Sequence, residues 1–158
     1  MTDSYFREGR NVELSTIYYI ETSINSDWTN MTVVKRFTDA YKAALPVIAI
    51  SMFDTVNTRQ EIGNTALSNT YVIAIDIFAK SDGQRIDIAD YLINQLKDCW
   101  TYYTHSQTPG SPETLTRTPT DKLHVEKFVS NRKVDLGDEG VDVYDRFRGY
   151  IEIEVSLL

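Results

Sequence analysis

The chain predicts an α+β fold: a mostly antiparallel sheet of four to five strands, flanked by an N-terminal helix and a central helix, in a single domain spanning 1–158. Three observations carry this. Tyr71–Ala79 (YVIAIDIFA) is apolar on both faces except at Asp76, as a central strand is. From about Asp82 to Trp100 apolar residues recur at helical spacing, so a strand feeds a helix that packs back on its sheet. Arg146–Leu157 alternates: Phe147, Ile151, Ile153, Val155 and Leu157 face one way and Arg148, Tyr150, Glu152, Glu154 and Ser156 the other, the pattern of a half-buried antiparallel strand.

Taken in order, residues 11–28 read as a helix with Leu14, Ile17, Ile20, Ile24 and Trp28 in one stripe, Asn11 as N-cap and Glu13 near the positive helix end. In 31–45, Thr32, Val33 and Val34 favour a short strand from Thr32 to Phe37, although Phe37, Ala40, Tyr41 and Ala44 also fit a helical face. Pro46–Phe53 (PVIAISMF) is a short buried strand. Asp54–Asn69, with Asn57, Gly63 and Asn64, holds a turn or a long hairpin connection. Ser81 followed by Gln84 fits a capping box at the start of the central helix, whose inner face is Ile86, Ala89, Ile93, Leu96 and Trp100 with Leu92 at its edge. Asp82, Asp87 and Asp90 early and Lys97 late suit the helix dipole.

Residues 101–121 (TYYTHSQTPGSPETLTRTPTD) hold three of the four prolines and seven threonines, so they read as a long loop, either an arm that engages a partner or surface disorder. Leu123–Val134 is a further strand, and Asp135–Glu139 with Gly137 and Gly140 turns the chain into the last one.

A net charge of −7 repels duplex nucleic acid unless positive charge is clustered, and Lys35-Arg36, Arg132-Lys133, Arg146 and Arg148 form no such cluster. Cys99 is the only cysteine, as a reducing compartment allows, and on the last turn of a helix beside Asp98 it reads as a packed thiol. The first ten residues are polar, so no leader is expected, and no apolar run approaches the ~20 residues of a membrane span. His105 reads as a loop or rim histidine. His124 and Glu126 share a strand face without any metal-site spacing. Phosphate-binding glycine patterns and G-x-S-x-G are absent. Asp54, Glu61, Asp76 and Lys80 surround two strands, but Asp76 and Lys80 are four apart, about 14 Å along an extended chain, too far for a shared nuclease metal. No catalytic, cofactor or metal residue is expected. Asp76 in its apolar strand is expected at an open sheet face or paired with Arg146 or Arg148, the alternative being a subunit interface.

The order of segments carries a resemblance. After the first helix come Leu45-Pro46-Val47-Ile48, Arg59-Gln60-Glu61-Ile62-Gly63, a strand ending Asp76-Ile77-Phe78-Ala79-Lys80, then Ser81-Asp82-Gly83-Gln84-Arg85, Ile88-Ala89-Asp90-Tyr91-Leu92 and Tyr144-Asp145-Arg146-Phe147-Arg148. Over 12–100 and 122–157 the chain resembles the tail terminator and neck (head–tail joining) proteins of long-tailed bacteriophages. The resemblance implies a small α+β domain that forms a ring, commonly hexameric, at the top of the tail tube. There it ends tube polymerisation and presents a surface to the head connector, without enzymatic activity or cofactor, and its place is the virion neck. A head-completion adaptor of the same neck is the alternative; a small metal-dependent nuclease is the remote one. Six subunits of charge −7 carry −42, which suits a ring that DNA passes without being gripped. Ring closure needs two different patches per subunit. The 54–69 hairpin, with Arg59 and Glu61, and the 101–121 loop, with Tyr102, Tyr103 and Arg117, are the expected partner contacts, and excision of 106–118 is expected to leave the fold intact.

Overall fold

A computed structural model describes residues 4–63, 65–109, 114–136 and 143–158. Along the chain lie β1 (Ser4–Tyr5), α1 (Glu8–Asp27), β2 (Thr32–Val34), a 3-10 helix (Phe37–Lys42), β3 (Val47–Arg59), β4 (Leu67–Phe78), α2 (Asp82–Leu96), β5 (Trp100–Thr108), β6 (Thr114–Val134) and β7 (Arg148–Leu157). Among the described residues the strands form one seven-stranded sheet in the order β1-β5-β6-β7-β4-β3-β2. Every neighbouring pair is antiparallel except β2 with β3. The fold is α+β as the sequence predicts, but with more strands.

β4 lies inside the sheet between β7 and β3, where its apolar run belongs. Tyr71, Ile73, Ile75 and Ile77 join Ile48 and Ile50 of β3 and Ile151, Ile153 and Val155 of β7 in a core closed by Val12, Ile20 and Ile24 of α1 and Ile88, Leu92 and Leu96 of α2. The opposite side carries a smaller core of Ala40, Val47, Ala49 and Phe78, covered by Tyr41, Ala43 and Tyr144. Gly149 sits where a Cβ would lie 3.3 Å from both Arg85 Cγ and Ile77 Cδ1, so α2 approaches β7 closely there.

The Ser81 cap forms as its sequence suggests. Ser81 Oγ accepts from the Gln84 N–H at 3.1 Å, while Gln84 Oε1 accepts from the N–H of Lys80 at 2.8 Å, one residue before the expected position. Ser81→Ala should cost about 1 kcal/mol, read as a lower denaturant midpoint with an unchanged slope.

Several expectations are corrected. The segment 101–121 is not a loop: β5 and β6 pair from Trp100↔Leu123 to Thr108↔Thr114. Its threonines are β-branched strand formers. Pro119 lies opposite Tyr103, whose own N–H and C=O turn away to Ser15, so this pair asks nothing of the missing proline N–H. Excision of 106–118 would therefore remove ladder, not slack. The helix expected to reach Trp100 stops at Leu96, and Trp100 opens β5. Its buried face is Ile88, Ala89, Leu92 and Leu96, with Ile86 exposed. Cys99, in the link that follows, is exposed rather than packed.

The first helix begins at Glu8, with Arg7 rather than Asn11 at the N-cap. Its buried face contains Asn11, Ser15 and Thr16, and Leu14 is half-buried. Strand β2 ends at Val34, and Phe37 enters the 3-10 helix. β3 and β4 both run on into the 54–69 segment as one long hairpin. Of the final turn, Gly137 and Gly140 lie outside the described residues. Among the described residues, no helix is long and apolar enough to cross a membrane.

Candidate partner-contact site

Strand β6 is 21 residues long and changes partner halfway. Its first half pairs with β5 and its second half with β7, Leu123 belonging to both registers. The β4–β7 register stops at Tyr71↔Val155, yet β4 and β3 remain paired to Leu67↔Arg59. Two hairpins, β3–β4 and β5–β6, therefore run past the same end of β7, one on each side of it.

Arg59 and Glu61 lie at the exposed end of the β3–β4 hairpin, near exposed Val56, Ile62 and Leu67. A polar cleft of about 250 Å³ between the hairpin bases is lined by Glu8, Asn69, Glu126, Ser156 and Leu157, among others. The Tyr71 hydroxyl donates to Glu8, and burial followed by that bond pushes its titration above the ordinary tyrosine range. Ser156 and Thr70 donate to Glu126, so this carboxylate serves hydroxyls and makes no pair with His124.

On the β5–β6 side, α1 takes the place of a neighbouring strand. Ser15 Oγ accepts from the Tyr103 N–H at 2.9 Å and donates to the Tyr103 carbonyl at 3.3 Å. Asn11 Oδ1 accepts from the His105 N–H at 3.1 Å, and the Phe6 N–H donates to the His105 carbonyl at 3.0 Å. Of the four outward backbone groups of these two β5 residues, three are satisfied by the Ser15 and Asn11 side chains and the fourth by the Phe6 backbone N–H, which protects an otherwise open edge. This explains polar residues on a buried helix face.

His105, expected in a loop, is 1 % exposed in this junction. Because Asn11 Oδ1 can only accept, the ring's Nδ1–H donates to it at 3.0 Å, and Nε2 is left to accept from Arg117 Nε at 3.4 Å. The ring is therefore neutral. Arg117 lies over the Tyr18 ring, 3.9 Å from its centroid, and Tyr18 meets Tyr103 edge-on at 5.5 Å. Tyr18 and Tyr103, with Tyr19, Thr22 and Thr101, line an open cleft of about 220 Å³.

Of the five residues expected at a partner surface, Tyr103 and Arg117 come together here, while Arg59 and Glu61 sit on the other hairpin. Tyr102 is 7 % exposed, with its hydroxyl accepting from Asn11 Nδ2 at 3.4 Å, so it faces the core and is no outward anchor. Sequence reading missed Ser15 and Tyr18 and took Asn11 for a helix cap; the i, i+4 pair Asn11 and Ser15, one turn apart on one helix face, was the available signal.

The acidic residues weighed for nuclease chemistry stay apart. Asp54 lies opposite Val72, four positions from Asp76 along β4, and Asp76 pairs with Arg148 Nη2 at 3.2 Å, one of the partners expected for it. Among the described residues no three His, Cys, Asp or Glu side chains gather as a metal site would require. No protein-family model and no curated protein matches the chain.

Proposed function

We propose that the protein is a structural subunit, not an enzyme, of the tail terminator ring in a long-tailed phage neck. It ends tail-tube polymerisation and offers the head–tail joining surface in the virion. The observation that carries this reading is the pair of hairpins running past one end of the sheet. A ring subunit needs two unlike patches, one for each neighbour or adjoining ring. Here one hairpin carries Arg59 and Glu61 with exposed aliphatic residues, and the other carries Tyr103 and Arg117. Such chemically different patches favour heterologous contacts over self-pairing. The negative subunit charge keeps a lumen from gripping passing DNA.

The test is mass in solution by light scattering across a concentration series, then with tail tubes added. A mass of about six subunits, or a monomer that assembles on tube ends, is the expected result. Replacing Arg59 and Arg117 together by Glu should then leave the monomer folded and abolish the assembly. A monomer that ignores tubes but binds connector would replace this reading with the head-completion adaptor.

A further inference from the structure

We propose that His105 is a proton-operated latch: neutral, it holds Arg117 over Tyr18, and protonated, it drives Arg117 away and uncovers the tyrosines that border the cleft. The latch rests on geometry in the isolated chain and does not depend on what the cleft binds.

Each group around the ring has a defined part. From α1 come the Asn11 amide and the Arg10 guanidinium, which itself lies 3.5 Å over the Phe6 ring. From the link before α1 comes the Phe6 ring, stacked at 6.1 Å and 21°. From β6 comes Arg117, and from β5 itself the Tyr103 carbonyl. The charged side chains facing the imidazole are thus both cations.

Protonation changes one bond and leaves the other. Nδ1–H still donates to Asn11 Oδ1, so the ring keeps its place. Nε2 becomes a donor aimed at the Arg117 Nε–H, 3.4 Å away, and two positively charged donors then share no acceptor. The ring is buried and cannot leave without unpacking Phe6 and Asn11. Arg117 is exposed and long, so it is the partner that moves. Its departure ends the stacking on Tyr18 and the longer 5.9 Å approach to Tyr103.

Burial first, then Arg117 and Arg10, hold the His105 titration below the ordinary value of 6.5, against a smaller pull from the Tyr103 carbonyl. The unfolded chain takes up this proton near 6.5 and the folded chain only at lower pH, so between those points the unfolded state binds more protons. Stability therefore falls as pH drops through that window, and the latch opens at its lower end.

The experiment is an NMR titration of the full chain from pH 8 downward. It follows the His105 ring carbons, the Tyr18 and Tyr103 ring signals and the Arg117 Nε–H, with far-UV circular dichroism as the fold check. The expected result is one shared midpoint below 6.5 for all four, with the circular dichroism unchanged. R117Q, which removes one facing cation, should raise the His105 midpoint and leave Tyr18 and Tyr103 indifferent to it. H105Q should abolish the step in the tyrosine signals. The proposal is overturned if His105 titrates while Tyr18 and Arg117 stay still, if the chain unfolds before the ring takes up a proton, or if R117Q leaves the midpoint where it was.

Discussion

Arg148→Ala should lower the unfolding free energy by about 3–5 kcal/mol at neutral pH. Arg148 Nη2 lies 3.2 Å from Asp76 and Nη1 3.4 Å from Asp145, and all three side chains are mostly shielded from water. The guanidinium also lies against the packed rings of Phe78 and Phe37, 4.9 and 5.2 Å from their centroids. Truncation at this position leaves two carboxylates without their cation and removes its contact with two aromatic rings. Burial already raises the Asp76 titration above its ordinary 3.8 even though Arg148 pulls it down. A carboxyl raised in the folded state favours folding below 3.8 and loses that contribution as pH rises, so ionised Asp76 is a cost that Arg148 offsets.

Two consequences follow for measurement. Denaturant unfolding of R148A should show a deficit that shrinks as pH falls through the Asp76 titration, because the protonated acid needs no cation. The double variant R148A/D76N should be more stable than R148A alone, since the unpaired charge is gone. An R148A protein within about 0.5 kcal/mol of the parent, as ordinary surface changes are, would show that this cluster contributes nothing.

Asn11→Leu should cost about 3 kcal/mol although the two side chains are similar in size. Asn11 makes four bonds in a buried place: Nδ2 to the Phe6 carbonyl at 3.1 Å and to Tyr102 Oη at 3.4 Å, and Oδ1 from the His105 N–H and ring. Leucine would leave the His105 amide without an acceptor and take Oδ1 from the ring Nδ1–H, beside a helix that excludes water. Each buried donor left unsatisfied costs about 1–3 kcal/mol. Besides the stability loss, hydrogen exchange should accelerate at the His105 amide before it does in β4, where the ladder is independent of α1. Unchanged protection at His105 in N11L would mean another group satisfies that edge.

The central strand, the capped helix behind it and the closing strand were all legible, because each is written in short-range periodicity. Tyr71–Phe78 needs only its own run of apolar residues, Ser81 and Gln84 are three positions apart, and the alternation of β7 is set by neighbours two apart. For Asp76 the sequence left an open sheet face, a pairing with Arg146 or Arg148, or a subunit interface, and the fold takes the pairing with Arg148.

The β5–β6 hairpin was not legible, and the reason is physical. Threonine and proline in one segment give opposite local signals. Which one prevails depends on whether each proline lands where the ladder needs no N–H. Pro119 does so only because Tyr103, 16 residues earlier, turns its backbone to Ser15 of α1. The same applies to the buried face of α1. Its amphipathic stripe predicts burial of Leu14, but the helix is rotated so that Asn11 and Ser15 meet a bare strand edge 94 and 88 residues away. By itself the sequence determined the kind of fold, the elements whose period is local and the absence of the usual catalytic signatures. Tertiary structure alone decided the register, the guarded edge of β5, the burial of His105 and the placing of both hairpins at one end of the sheet, because each depends on groups far apart in the chain whose polar atoms must find partners once water is gone.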